Sequence, residues 1–432
     1  MRIKTYEVQT IGKIICFLIL IMPIVRYYNV PGTDIGSNSA ITLVLLLLTP
    51  IAVLLNKRNI CSSRNSIVLR KSRYLFIVFL LWSIIITLRF EYGGFASGNI
   101  NNSIVAFMSG FVMIMLLSNK INATQIFQIY QALVYIVLIV FFVQLFLSIV
   151  GVSMDFRLPF HQFNGSWGFA EGTVFGMDGV NTSIFSEPAH YSEYLIPFLC
   201  YLLFGKETTD KDRFLSVLIS LSIVLTLSGT GIVLLGVVWI LKFSLFSEKR
   251  GSNKLVVGLA GLFVVIALFF VLKSFEDYGN MFQKLFLSSD GSMEMNKSSF
   301  RIYRGWDYVF KMPLKYLFTG VGFVHMETFA SRNGLWSIFD NEWKMFEWFS
   351  GITEVILYFG LIGFSPFLMH IVRLYRNQSN LTKSIVIVFI ALLFTSQILF
   401  LETHFLYLAL IIGSIQYTDM RNERKQQFEI QK

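Results

Sequence analysis

Charge is what this sequence has least of. Asp, Glu, Lys and Arg make up 14% of its 432 residues, where a water-soluble domain carries roughly a quarter, so an ordinary soluble fold is excluded. Cysteine is scarce too. Cys16, Cys61 and Cys200 lie in or beside apolar runs, without zinc-like or disulfide spacing, which argues against structural-metal and redox chemistry. No phosphate-binding Walker loop, dinucleotide fingerprint, HExxH helix or serine nucleophile elbow occurs, so the chain carries no ATP-driven engine. The centres of the apolar runs are nearly free of charge. A coupled transporter calls for ionisable groups or broken helices near the midplane, and the sequence offers little of either.

What remains is largely hydrocarbon. The chain is 55% hydrophobic with a mean hydropathy of +0.63. Runs such as AITLVLLLLTPIAVLL (40–55) and IFQIYQALVYIVLIVFFVQLFLSIV (126–150) approach or exceed the roughly 20 residues that cross a bilayer. The two-residue alternation of a barrel is missing, and lipid leaves helices as the alternative. The expected fold is all-α: a polytopic integral membrane protein of about 12 transmembrane helices. They fall near 11–28, 40–55, 74–89, 104–117, 126–150, 188–204, 214–227, 230–246, 255–272, 351–370, 384–400 and 404–418. The first run lacks a small-residue cleavage site and reads as an anchor.

The net charge of +10 sits mostly in alternate connections, among them NKRNICSSRNSIVLRKSR, GKETTDKDR and IVRLYRNQSNLTK. This is the positive-inside pattern, and it makes a nucleic-acid partner unnecessary. Both termini are then expected in the cytoplasm. Two long connections fall outside, 151–187 and 273–350. Within the second, SSFRIYRGWDYVFKMP reads as an amphipathic helix, capped by Ser298 or Ser299 and stopped by Pro313.

Ionisable residues gather at the predicted outer ends: Glu187, His190, Glu193, Glu354, Glu402 and His404. In EPAHYSEY, Pro188 suits the first turn of a helix. Glu187, His190, Tyr191 and Tyr194 then share a face at helical spacing, with Glu193 close by. An interfacial tyrosine belt accounts for the same residue types; the functional alternative is a polar wall facing a sugar-sized cleft. Arg301 and Arg304, three apart, present guanidinium forks suited to phosphate. Headgroup contact or pairing with Asp307 is the simpler reading of them. His325, after the glycines of FTGVGFVHME, is a candidate base; His161 has weaker company. SGTG (228–231) reads as a helical-hairpin turn.

Three stretches, in order, resemble a known family. SIFSEPAHYSEYL, SSFRIYRGWDYVFKMPLKYLFTGVGF and ITEVILYFGLIGF are similar to the Glu-Pro segment, the Ser…Arg segment and the Gly-x-x-Gly helix of Wzy-like O-antigen and capsular polysaccharide polymerases. The resemblance implies a bacterial cytoplasmic-membrane glycosyltransferase. Such an enzyme joins undecaprenyl-pyrophosphate-linked oligosaccharide repeats at the outer face and releases the lipid pyrophosphate. A flippase and a chain-length regulator are the implied partners; no cofactor or metal is implied. Glu187, His190 and Arg301 carry over as catalytic, with His325 from its own context. Arg304, Glu193, Tyr191 and Tyr194 are expected to bind substrate. The base is left open between His325, Glu347 and His190. The chain departs from the family pattern at LSGTG, which has no arginine. It departs again at Phe349-Ser350, where relatives often carry His-Asn, and near Asn181, where an upstream arginine is missing. An O-antigen-type ligase and a lipid-linked oligosaccharide flippase are the alternative readings.

Overall fold

The computed structural model describes residues 2–26, 28–30, 33, 36–55, 64–89, 107–114, 123–150, 152, 173–174, 177–178, 182–185, 187–205, 209–226, 228–245, 297–323, 325–335 and 349–430. Apart from a two-residue hairpin pairing Thr173–Val174 with Met177–Asp178, the elements among them are helical. They run α1 (Arg2–Val25), α2 (Ser37–Leu55), α3 (Arg64–Thr87), α4 (107–114) and α5 (Ala123–Ile149) in the first third. Next come α6 (Pro188–Phe204), α7 (Asp210–Leu225) and α8 (Gly229–Ile240), the last running into a π-helical turn at Leu241–Leu245. The distal set is α9 (Lys297–Lys311), α10 (Leu314–Thr319), α11 (Met326–Arg332), α12 (Gly351–Tyr375), α13 (Asn380–Thr395) and α14 (Glu402–Ile430).

Eleven of the twelve expected runs coincide with helices; the run at 255–272 lies outside the described residues. Local chemistry sets several of the ends. Pro188 occupies the first turn of α6, where its missing N–H goes unused. At α7, Thr209 and Asp212 form a reciprocal capping box. Ser228 accepts from the Gly231 amide at the start of α8, so SGTG lies at the junction of α7 and α8 as the cap and first residues of α8. The expected cap of α9 needs correction: that helix is already under way at Lys297, which places Ser298 and Ser299 inside it.

Apolar side chains lie on both the inside and the outside of the bundle. Leu195, Ile196, Phe198 and Leu199 of α6 are fully buried, and α6 packs on α5, α7, α8, α13 and α14. On the opposite side of the balance, α3 exposes Tyr74, Val78, Leu81 and Ile85, and Leu88 just past its end continues the stripe at three- and four-residue spacing. Phe214, Val217 and Leu221 of α7 and Ile139, Phe146 and Ile149 of α5 are likewise exposed. Among the described residues, two helices, Gln125–Ile149 and Gly351–Tyr375, are long and apolar enough to cross a membrane, and the apolar stretches within α1, α2, α8 and α13 are shorter.

Two interruptions shape the distal half. Gly360 breaks α12 with φ 65° and ψ −178°, a conformation essentially reserved for glycine. The break frees backbone carbonyls, which cannot be left unpaired in an apolar interior. Neighbouring groups take them up. Val321 N–H donates to Leu357 O at 3.1 Å and Gly322 N–H to Tyr358 O at 2.8 Å, while Trp82 Nε1–H donates to Phe359 O at 2.7 Å. The chain at 320–322 thereby lies directly against the kink.

The second interruption overturns an expectation. The run at 384–400 ends as helix at Thr395, and 396–401 is non-helical before α14 begins. His404 is buried with its ring 5.0 Å from that of Phe389. Phe389 lies six residues before the end of α13, or about 9 Å back along it. His404 is therefore recessed among helices and does not stand at an outer rim, whereas Glu402, also buried, stays at the helix ends, bonded to Arg26 just past α1 and Asn38 at the start of α2. Broken helices, which the sequence did not reveal, are present.

A side chain at Gly360 is expected to be strongly disruptive. Its Cβ would come within 2.3 Å of Phe318 O, in addition to about 1–3 kcal/mol of backbone strain. Gly334 also has positive φ (60°), with nothing within 4 Å. Thermal unfolding of purified protein should show a much larger loss of stability for Gly360→Ala than for Gly334→Ala.

Candidate functional site

The N-terminal end of α6 concentrates the polar chemistry. It is set in place by the turn before it, where Gln144 of α5 bonds the Ser183 backbone twice: Nε2–H to Ser183 O at 2.8 Å and Oε1 from Ser183 N–H at 2.7 Å. Ser183 holds φ 57°, and its hydroxyl donates to Val137 O at 2.8 Å. The Tyr28 hydroxyl reaches Ile184 O at 3.2 Å. One helix, α5, and the stretch just past α1 thus fix the approach to Glu187, the residue that precedes α6.

Three of the expected residues are brought together. Glu193 is 3% exposed and receives the Ser396 hydroxyl on Oε1 at 2.9 Å. Its Oε2 lies 3.5 Å from the Thr403 hydroxyl and 3.4 Å from His190 Nδ1. A carboxylate can only accept, so the imidazole N–H in that contact is on Nδ1. His190 Nε2 lies 3.7 Å from Glu187 Oε2. Burial grades outward along this line: the side chains of Glu193, His190 and Glu187 are 4%, 16% and 47% exposed. The imidazole is therefore held between an anchored interior carboxylate and a half-exposed one.

Arg26, His190, Glu193, Tyr194, Thr403 and Leu406 line a cleft beside this array. Its volume is about 10 Å³, room for about one water molecule and far below the roughly 300–1,000 Å³ of ordinary ligand pockets. Among the described residues the cleft is thus narrower than the expected sugar-sized site. Behind it, Arg26 Nε lies 3.5 Å from Glu402 Oε2, and Asn38 Nδ2–H donates to Glu402 Oε1 at 2.6 Å.

The expected shared face of Glu187, His190, Tyr191 and Tyr194 divides in two. Tyr191 turns into the core, stacked on Phe141 at 5.0 Å with the edge of Phe185 at 6.0 Å, so it does not line the cleft. The Tyr194 ring is also buried, T-shaped to Tyr130 at 5.4 Å, yet it lines the cleft. Backbone carbonyls here are used as well: Tyr407 donates its hydroxyl to Glu193 O at 3.1 Å, and Tyr130 donates to Tyr194 O.

The arginine pair is placed differently from expectation. Arg304 is fully buried, its guanidinium 5.5 Å from the centre of the Phe349 ring, because α9 presses that face onto α12 and α13. It is not presented on the surface as an open fork. Arg301 belongs to α9, but its side chain lies outside the described residues, as do His161, Asn181 and Glu347. His325 is buried with Nε2 3.0 Å from Thr87 O. That contact ties the 320–325 turn to the end of α3 and occupies the nitrogen in structure.

One short segment connects the two polar regions. Ser396 bonds Glu193, its carbonyl accepts from Gly351 N–H at 3.0 Å, and adjacent Gln397 donates to Glu354 Oε1 at 2.7 Å. The Thr353 side chain sits where a Cβ on Gly305, next to Arg304, would fall. Sequence reading missed Arg26, Gln144, Ser396, Thr403 and Tyr407. Each sits in or beside an apolar run, and run position reports depth without azimuth around the helix.

Truncating Glu193 should unfold the site, because the hydroxyls of Ser396 and Thr403 would lose their acceptor in the interior. Glu193→Ala is expected to cost on the order of 2–4 kcal/mol. Glu187→Ala, at a half-exposed position, should stay within about 0.5 kcal/mol. Denaturation of the two purified variants against the parent protein checks the contrast. No known protein family and no curated protein matches the chain.

Proposed function

We propose that this chain is a multi-pass protein of about twelve spans in a bacterial cytoplasmic membrane, with both termini in the cytoplasm. There it would join lipid-pyrophosphate-linked oligosaccharide repeats at the outer face. The membrane placement is supported by the exposed apolar stripe of α3 at Tyr74, Val78, Leu81 and Ile85, continued by Leu88 just past its end. Water would leave such a stripe uncovered, and lipid covers it. The chemical reading is carried by the Glu187–His190–Glu193 array. A histidine oriented through Nδ1 by a buried carboxylate is the arrangement of a general base acting on a hydroxyl.

In the proposed reaction the acceptor sugar lies across the half-exposed end at Glu187. A single hydroxyl reaches into the narrow cleft. His190 takes the hydroxyl proton while the oxygen attacks the anomeric carbon of the donor. The bond from that carbon to the pyrophosphate oxygen breaks, and its electron pair leaves with the lipid pyrophosphate. Glu193 holds the imidazole and offsets the charge it gains. Arg301 is assigned to the developing negative charge on the leaving oxygen, an electrostatic role of the kind worth a few kcal/mol. Arg304, on the same helix as Arg301 and set over the ring of Phe349 just before α12, supports the position of α9.

A second reading draws on a specific observation. The kink at Gly360 and the non-helical segment 396–401 are broken helices of the kind transporters use, which favours a carrier of the same lipid-linked saccharides. Purified protein supplied with lipid-linked repeats in detergent separates the two. A polymerase gives a ladder of products, with loss of about 100-fold or more on His190→Ala or Arg301→Ala. A carrier gives no ladder but moves the labelled lipid across vesicles.

A further inference from the structure

The face of α9 and α10 that turns away from the bundle has the wrong composition for water. α9 buries Arg304, Gly305, Tyr308 and Val309, and Met312 just past its end is buried too. Its outward side carries Tyr303 and Phe310, 53% and 81% exposed. The stripe continues past Pro313 with Leu314 at 73% and Phe318 at 52%. α10 has no buried residue at all. α10 packs on the core through Tyr316 and Leu317, so the apolar row on its other side is left without a cover from this chain and calls for one from outside it.

Cations border the row. Lys311 lies on its edge, ion-paired to Asp307 at 2.8 Å, Lys315 is exposed in α10, and Arg89 reaches Thr319 Oγ1 at 3.5 Å. Arg89 also fixes the level. It lies just past the end of α3, directly after the exposed apolar stripe that ends at Leu88. Phe323 N–H donates to Thr87 Oγ1 at 3.0 Å, so the chain that follows α10 is bound to that same end. The apolar row of α10 therefore sits where the lipid-facing stripe of α3 gives way to charge. Bulky apolar side chains bordered by Lys and Arg at that depth are the pattern of a helix lying in a membrane interface.

We infer that the outward face of α9 and α10 is a lipid-docking surface: Phe310, Leu314 and Phe318 enter the acyl boundary, while Lys311, Lys315 and Arg89 meet anionic headgroups. This rests on the membrane placement above and is independent of glycosyl transfer. Docking would hold α9, and with it Arg304, at the plane where a lipid-borne substrate presents its head. The shared continuity with α3 favours a bilayer over a second copy of the chain as the occupant.

The test uses the full chain in nanodiscs of phosphatidylcholine with or without phosphatidylglycerol. Single nitroxide labels are placed by Phe310→Cys, Leu314→Cys or Phe318→Cys, with the native cysteines replaced by alanine. Ile139→Cys on α5 serves as the lipid reference and Arg332→Cys on α11 as the aqueous one. The expected result is an oxygen-to-nickel-chelate collision ratio severalfold higher at 310, 314 and 318 than at 332, matching 139. Lys315→Glu should lower the ratio at 314 in phosphatidylglycerol discs only. Aqueous values at all three sites, with 139 still in lipid, would overturn the docking surface and leave the membrane reading intact. Aqueous values at 139 as well would remove the membrane reading itself. Spin–spin broadening between labels at 314 would show a second copy on the face and also overturn the inference.

Discussion

A carboxylate enclosed by helices has to be satisfied from every side, and Glu193 is where that requirement shapes this protein. Its oxygens draw in Ser396 from the segment after α13, Thr403 from the first turn of α14 and His190 from its own helix. Its backbone carbonyl takes the Tyr407 hydroxyl. Because these partners are far apart in the chain, one side chain fixes where α6 lies against the α13–α14 junction. The orientation of His190 follows from it. So does the position of the non-helical stretch at 396–401, which would otherwise present bare backbone to an apolar interior.

Unpaired backbone governs the other half of the bundle. Kinking α12 at Gly360 frees the carbonyls of 357–359, and in an apolar setting each must find a donor. Trp82 and the amides of Val321 and Gly322 supply them. Gly320 is required in turn, since a Cβ there would meet Tyr358 O at 2.3 Å. The same groove therefore needs glycine on both sides. This mutual dependence docks the α9–α10 segment against a long apolar helix and puts Arg304 beside Phe349.

In the proposed reaction these two constraints have separate duties. Glu193 sets the base, and the Gly360 kink sets the helix that carries the arginines. The Ser396–Gln397 segment touches both, through Glu193 on one side and Gly351 and Glu354 on the other. Because lipid-pyrophosphate is already a good leaving group, holding charge and hydroxyl in register matters more than a strong acid would. A narrow cleft walled by Glu193, Arg26 and Tyr194 suits that kind of work.

The sequence was legible wherever physics is local. Apolar run length located the helices, Pro188 marked the start of α6, and SGTG marked the junction of α7 and α8. The closeness of Glu187, His190 and Glu193 followed from helical spacing alone. What escaped depended on partners distant in the chain. Nothing in YSEYL indicates that Tyr191 would stack on Phe141 while Tyr194 faces the cleft. No local signal shows that Arg304 would be buried, that His325 would be tied to Thr87, or that the run at 384–400 would break at Ser396. Composition and periodicity, then, determined by themselves that this chain is a helical bundle with apolar surfaces. The tertiary structure alone decided which polar groups meet, because a buried carboxylate, cation or freed carbonyl is satisfied by whatever the fold brings within about 3 Å, and that neighbour is absent from its own stretch of sequence.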